Sequence, residues 1–481
     1  MGDNLVALGA IDRTELEEFV TRIPSEPKDI AATGIDETDL LGLMMKLIYT
    51  GRLEKLGQFV EAIKLPQHIV IDLARMAVER QLIYNLGSLA SDSLLEMRYA
   101  LTEEGKRWTI EVLQRSGYVG PAPVTLKQFI ERVNLQKPTN ELVTPQRLND
   151  ALRGLSISDS LVEQAGPALN SGRAILIYGP PGNGKTSVAL RIASVFQDMI
   201  HVPYAIIVEG QIIRFFDPRL HIPFAAESRP EDYNEDHNIE SFRRETHDLR
   251  WVACRRPFVV AGGELTLEML DLRYDSSGHY YEAPLHMKAL GGCFFIDDFG
   301  RQFVSPRDLL NRWIVPMENR IDYLKLRSGA SFSIPFEEMV IFATNLDPED
   351  LMDPAFLRRI PYKIEVGPPS LEQFRLIFEN ECRKNLMTLS DDVFNFIHYL
   401  IVEDKKLDLA GFQPGFIVEQ VVATCRFLGK TPELRSPFIE YAVNNLRVHR
   451  ATDPHTPASE QLRSKQTSAR TGNSADVLHK F

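Results

Sequence analysis

The eight residues Gly179-Pro180-Pro181-Gly182-Asn183-Gly184-Lys185-Thr186 constrain this chain more than any other stretch. They fit the spacing G-x-x-x-x-G-K-[ST], a turn whose backbone amides cradle phosphate groups. Residues 174–178 (AILIY), just before it, read as a short buried strand. Residues 187–193 (SVALRIA), just after it, have the apolar spacing of a helix. Glycine lets the backbone approach a phosphate closely, and free amides at a helix N-terminus favour negative charge. Lys185 is expected to reach the β- and γ-phosphates and Thr186 to hold Mg²⁺, with Ser187 completing the nucleotide-binding set. The run implies that the chain binds ATP or GTP.

A second motif supplies the matching acids. Residues 292–296 (GCFFI) form an apolar strand that ends in Asp297 and Asp298. In this arrangement Asp297 is expected to hold Mg²⁺ through water, and Asp298 to orient and polarise the attacking water. Alone, the stretch reads equally well as a buried strand running into an acidic turn. The glycine-rich loop upstream tips the reading towards chemistry.

The chain of 481 residues is long enough for two to four domains. Its net charge of −12 argues against a surface coated for nucleic acid, although a local basic patch is compatible with it. Cys254, Cys293, Cys382 and Cys425 lie far apart, with no C-x-x-C pair, which suits a reducing compartment and signals neither metal nor disulfide. No apolar run reaches membrane-spanning length, and a cytoplasmic protein without membrane contact is expected.

Residues 39–49, 55–63 and 67–82 read as three helices, followed by a strand over 94–101 and a helix start at 102–105. Three helices and a strand hairpin, ending in Y-A-L-T-E-E-G, resemble a winged helix-turn-helix domain over residues 36–118. That stretch carries ten Lys and Arg against twelve Asp and Glu, a net of −2. Its third helix offers Arg75 and Arg80, offset by Asp72 and Glu79. A protein partner is therefore favoured over duplex DNA, although nucleic acid stays possible. Residues 1–35 read as an N-terminal extension, 119–142 as a linker with one helix around 126–133, and 451–481 as a disordered tail.

The loop, the acidic strand end and Val340-Ile341-Phe342-Ala343-Thr344-Asn345, in this order, resemble an AAA+ ATPase. The resemblance covers residues 143–450: a nucleotide-binding core over 143–367 and a helical lid over 368–450. It implies an α/β fold, a parallel sheet flanked by helices, with ATP and Mg²⁺ as ligands. Asn345 matches the sensor-1 position between the acids and the γ-phosphate. Asp353-Pro354-Ala355-Phe356-Leu357-Arg358-Arg359 resembles the region that delivers an arginine finger to a neighbouring subunit. Arg358 fits the spacing better and Arg359 is the fallback, while both also read as residues that solvate a helix end.

Three departures stand out. Asp298 replaces the usual Glu and is one methylene shorter. The lid segment Gly411-Phe412-Gln413-Pro414-Gly415-Phe416 lacks a sensor-2 arginine. Asp297 follows Lys185 by 112 positions, which implies an insertion within residues 208–290. There Gly262 to Leu267 and Met269 to Tyr274 alternate like strands. Tyr280 and Tyr281 precede the acidic strand in a phrase that resembles MoxR-like and helix-2-insert branches, where such aromatics face a pore; as a bare pair they read more often as core. Arg307, Arg312 and Arg320 fall on the helix after the acids, where the family places subunit-facing residues.

Three readings follow. The first is a homo-oligomeric ring, a hexamer by resemblance, that hydrolyses ATP to remodel an unknown protein partner in a chaperone-like way. The second is a DNA-acting regulatory or replication-type ATPase. The third is a nucleotide-gated scaffold with little turnover, prompted by Asp298.

Overall fold

The computed structural model describes residues 23–87, 94–153, 155, 159–224 and 247–446. The expected tail over 451–481, most of the N-terminal extension, and the acidic and Arg-rich stretch over 227–244 lie outside the described residues.

The N-terminal part packs around α1 (Glu37–Gly51), in which every side chain from Leu40 to Ile48 is buried. A helix apolar on all sides must sit inside other elements. Here α2 (Leu56–Ile63), α3 (Gln67–Glu79) and α4 (Glu103–Arg115) surround it. Between α3 and α4, β1 (Ile83–Gly87) and β2 (Arg98–Leu101) pair antiparallel. The strand expected over 94–101 is shorter, because Leu94–Glu96 forms a 3-10 turn. Thr102 caps α4 by accepting the Gly105 amide at 2.8 Å. Gly105 passes so close to β1 that a Cβ would stand 1.9 Å from the Leu82 carbonyl oxygen.

Residues 119–142 do more than link. β3 (Val124–Thr125) runs into α5 (Leu126–Leu135) and pairs with a strand some eighty residues later. That strand belongs to a five-stranded mixed sheet built from β3, β6 (Ala205–Val208), β7 (Gln211–Arg214), β10 (Arg273–Asp275) and β11 (Tyr280–Glu282). β5 (Ile200–Pro203) and β8 (Trp251–Cys254) form a separate antiparallel pair. Glu141, almost fully buried, accepts from the Arg147 and Arg256 guanidinium groups and from the amides of Gln197 and Asp198. Four donors compensate its lost hydration; a buried carboxylate with one partner removed costs about 3–5 kcal/mol.

The second sheet accounts for Tyr280 and Tyr281. β11 lies between β10 and β7, so alternate side chains face opposite sides. Tyr281 points into the core, and its hydroxyl oxygen accepts the Arg327 amide at 2.9 Å. Tyr280 packs edge-on against Tyr118, with the Arg214 guanidinium over its ring. Both rings make packing contacts within the chain, Tyr281 in its core.

A larger α/β unit follows α6 (Pro145–Leu152) and α7 (Asp159–Ser171). Its parallel sheet has the order β16 (Tyr362–Glu365), β4 (Ile175–Tyr178), β15 (Met339–Thr344), β12 (Cys293–Ile296), β9 (Phe258–Ala261). Parallel strands buried on both faces read as unbroken apolar runs, and the period of two divides them. Ile175, Ile177, Cys293 and Phe295 join the cluster under α6, α7 and α8 (Lys185–Ala193). Leu176, Phe294 and Ile296 join the opposite cluster with Trp313 of α9 (Pro306–Asn319).

The stretch over 208–290 thus contains a core strand, β9, among its additional elements. The strands expected over Gly262 to Leu267 and Met269 to Tyr274 form differently. The Glu264 carboxylate accepts the Gly262 amide at 3.0 Å, and Leu265 and Leu270 turn into the core. Only Arg273–Asp275 remains extended there. An antiparallel hairpin, β13 (Ile321–Lys325) and β14 (Ser331–Pro335), precedes β15. Arg312 pairs with Asp322, Arg320 donates to the Gly172 carbonyl, and Arg307 is exposed.

Two four-residue helices, α10 (Pro348–Leu351) and α11 (Pro354–Leu357), lead to β16. A C-terminal helical bundle, the expected lid, then stacks α12 (Leu371–Lys384), α13 (Asp391–His398), α14 (Gln413–Phe427) and α15 (Ser436–Asn444) around Phe374, Phe378, Ile417, Val421 and Ile439.

Candidate nucleotide site

β4, β12 and β15 end at the same edge of the sheet, and their following turns bring the predicted residues together. Carboxyl ends of parallel strands form the crevice where open α/β sheets bind ligands. Gly179 opens the loop at φ 136°, and a Cβ there would meet the Val366 carbonyl oxygen at 2.4 Å. Gly184, at φ 84°, stands immediately before α8. Pro181, Gly182, Asn183, Gly184, Lys185, Thr186 and Ser187 all line one cleft of about 1010 Å³.

Within it, Lys185 Nζ donates to the carbonyl oxygens of Gly179 at 2.8 Å and Pro180 at 2.9 Å. Burial pulls its pKa below the ordinary value, opposed by the nearby Asp298 and Asp297 carboxylates. Thr186 Oγ1 donates to Asp297 Oδ2 at 2.9 Å. Asn345 Nδ2, at the end of β15, donates to Asp298 Oδ1 at 2.6 Å. A hydroxyl beside a carboxylate is a hard oxygen set of the kind Mg²⁺ takes, with waters completing the shell. The cleft, its glycine-rich turn and these oxygens fit a magnesium-bound nucleoside triphosphate.

The acidic turn is braced by groups that the sequence did not single out. Asp298 adopts φ 49°, a left-handed conformation that aspartate tolerates better than most residues. Gln302 Nε2 donates to the backbone oxygens of Asp297 and Asp298, at 2.8 and 3.1 Å. Phe299 N donates to Ala343 O at 2.7 Å, and Thr344 Oγ1 donates to Phe299 O at 2.8 Å. These bonds tie the end of β12 to the end of β15 and fix the Asp298–Asn345 pair. The only sequence signal was the local polarity of Gln302 and Thr344.

The lid closes the other side. Gly411 N donates to Asn183 Oδ1 at 3.1 Å, and Phe412 lies against Gly182, where a Cβ would be 2.4 Å from its ring. Ile377, Asn380, Arg383 and Lys384 of α12 also line the cleft. A second cavity of about 420 Å³ adjoins it, bordered by Leu161, Tyr178, Val366, Gln373 and Ile377. Asn183, Val188, Ile377 and Gly411 border both. One trough therefore runs from a partly apolar end to a charged one.

Arg358 and Arg359 are not brought to this cleft. Arg358 is exposed, with no ion-pair partner among the described residues. Arg359 Nε contacts Glu318 Oε1 at 2.5 Å. All four cysteines are buried and free. Among the described residues no group of three or more His, Cys, Asp and Glu is placed to hold a metal, and no helix is long and apolar enough to cross a membrane.

A family model described as a domain of unknown function (DUF8689) matches residues 370–445, the lid. No curated protein matches the chain. Solved structures similar to it include NtrX from Brucella abortus, at 14% identity and a TM-score of 0.38, over 66% of this chain and 62% of that one. NtrX in complex with ADP matches at 13% and 0.38, over 74% of this chain and 71% of NtrX. NtrX in complex with ATP matches at 13% and 0.37, over 67% and 63%. In the first of these the chain spans less than two thirds of the NtrX length. The chain itself has a five-stranded parallel sheet flanked by helices, with a loop, acids and amide gathered at one edge.

Proposed function

We propose that this chain is an AAA+-type ATPase that binds ATP with Mg²⁺ in the cleft and hydrolyses it. The observation that carries the reading is the convergence of Lys185, the Thr186–Asp297 pair and the Asp298–Asn345 pair at one edge of the sheet. Loop amides and Lys185 hold the phosphates by charge-assisted hydrogen bonds. Thr186 and Asp297 hold Mg²⁺, which neutralises developing charge on the phosphate oxygens. Asp298 accepts a hydrogen bond from the attacking water and draws off its proton, while Asn345 keeps that carboxylate aimed. Positioning, charge stabilisation and this proton transfer make up the protein's contribution.

In this reading the subunits form a ring in a cytoplasmic setting, and Arg358 of one subunit, with Arg359 as the alternative, reaches the nucleotide of the next. The exposure of Arg358, which has no ion-pair partner among the described residues, supports that role over one inside its own subunit. The three helices and hairpin of the N-terminal part form a winged-helix-like module that recruits a protein substrate for remodelling. Steady-state ATP hydrolysis measured alongside assembly state tests the proposal. Turnover that rises as the chain assembles supports the machine. Tight nucleotide binding without turnover in any assembly state favours a nucleotide-gated scaffold.

A further inference from the structure

We propose that Gln302 is a positioning residue for the hydrolysis proposed above: its carboxamide locks Asp298 into the left-handed turn that brings two adjacent carboxylates to one cleft. The inference rests on the ATPase reading. It concerns a side chain that does not itself border the cleft.

Asp297 still follows the strand, since its amide donates to the Ala261 carbonyl oxygen of β9 at 2.9 Å. Side chains alternate along a strand, so an extended Asp298 would point away from its neighbour. Both carboxylates nevertheless border the same cleft. The step to φ 49° at Asp298 breaks the alternation. Asp297 Oδ2 accepts from Thr186 on one side, and Asp298 Oδ1 accepts from Asn345 on the other. Asn345 engages one Asp298 oxygen, which leaves Oδ2 for the attacking water. A left-handed residue other than glycine costs free energy and persists only where its surroundings over-determine it.

Gln302 supplies that determination. Its Nε2 donates to the carbonyl oxygens of Asp297 and Asp298, and its Oε1 accepts the Gly300 amide at 2.8 Å. One neutral carboxamide thus clamps three residues of the turn. Arg301 N adds a backbone bond to Asp298 O at 3.0 Å. Glutamate at this position would reach as far but offers no donor, and it would set a third negative charge beside the two acids. Methionine copies the shape without either polar group. The competing role for Gln302 is to stabilise the turn as part of the fold, and that role is indifferent to the charge of Asp298.

The test is steady-state ATP hydrolysis by the full chain across pH, with titration of the Mg²⁺-bound β,γ-imido analogue of ATP. Gln302→Ala and Gln302→Met are expected to lower kcat by about tenfold to a hundredfold, the scale of a misplaced reacting group. Analogue affinity should change by less than about threefold, the dissociation of aim from binding that a positioning role requires. Gln302→Glu should move the acid limb of the pH–rate profile to higher pH, because a like charge holds the Asp298 carboxyl protonated for longer. In the Asp298→Asn background, Gln302→Met should cost less than about twofold further, since residues that act as a unit are not additive. Parent-like kcat in Gln302→Met, equal losses of kcat and analogue affinity, or the same loss in both backgrounds overturns the assignment. If Gln302→Ala does not fold, Gln302→Met decides by the same criteria. A parent that hydrolyses ATP, with parent-like Gln302→Met and inactive Asp298→Asn, sinks this inference alone. A folded parent without turnover removes the functional reading and this inference together.

Discussion

Asn345 Nδ2 donates a 2.6 Å hydrogen bond to Asp298 Oδ1, joining the ends of two adjacent parallel strands at the mouth of the cleft. The pair predicts a separation of binding from turnover. Asp298→Asn keeps the side-chain shape but loses the charge that takes a proton, so hydrolysis should fall by about 10²–10⁴ while ATP affinity stays near the parent. Asn345→Ala should lower turnover by a smaller factor, since the carboxylate survives and only its aim is lost. Steady-state hydrolysis with parallel binding titrations checks both. Parent-like turnover in Asp298→Asn contradicts the assignment.

Arg358 should act only between subunits. Arg358→Ala is expected to leave ATP affinity of the dilute chain intact and to lower turnover of the assembled form, by about 10³–10⁵ if it is a full arginine finger. Mixing it with Asp298→Asn should regenerate some complete sites. Mixtures without recovered hydrolysis at any ratio, or equal activity in monomer and assembly, contradict a role in trans.

Much of this was legible in the sequence because it is local. The loop carries its own spacing, and β4, β12 and β15 are apolar runs that only a sheet covered on both faces accommodates. Alternation misled over Gly262 to Tyr274, where a Glu264 side-chain cap and the anchored Leu265 and Leu270 replace most of two strands. The second sheet was hidden because β3 pairs with β6 across some eighty residues, and two-residue strands have no periodicity to read. Glu141 and its guanidinium partners were hidden likewise, since Arg256 lies 115 positions away.

Lys46 predicts an alkaline signature. Its ammonium is buried in α1 and donates to Ser116 O at 3.0 Å, and burial lowers its pKa to about 8, opposed by Asp39. The unfolded chain keeps the ordinary value of 10.5 and so binds more protons between pH 8 and 10.5. Stability attributable to this residue therefore rises with pH across that window, by about 3 kcal/mol at most. Denaturant titrations of the parent and Lys46→Met should show a stability difference that changes with pH above 8 and is constant below it. A difference that is flat through pH 10 contradicts a buried, destabilised charge.

The N-terminal part should not hold duplex DNA at about 150 mM salt, because non-specific affinity comes from Lys and Arg replacing phosphate counterions. On α3, Arg75 already pairs with Asp72 at 3.0 Å, and Arg80 lies 3.9 Å from Glu37. Anisotropy titration of the full chain with a labelled duplex checks this. Micromolar or tighter binding with a steep salt slope would move the DNA-acting reading ahead of a protein partner.

The most direct measurement is a calorimetric titration of Mg²⁺–ATP into the parent and into Lys185→Ala, with circular dichroism confirming that both are folded. Lys185 opens α8 at the cleft and makes its hydrogen bonds to loop carbonyls, so its loss should spare the core. The account predicts saturable binding in the parent and none detectable in the variant. Equal affinity in the two chains, or no binding by a folded parent, would contradict it.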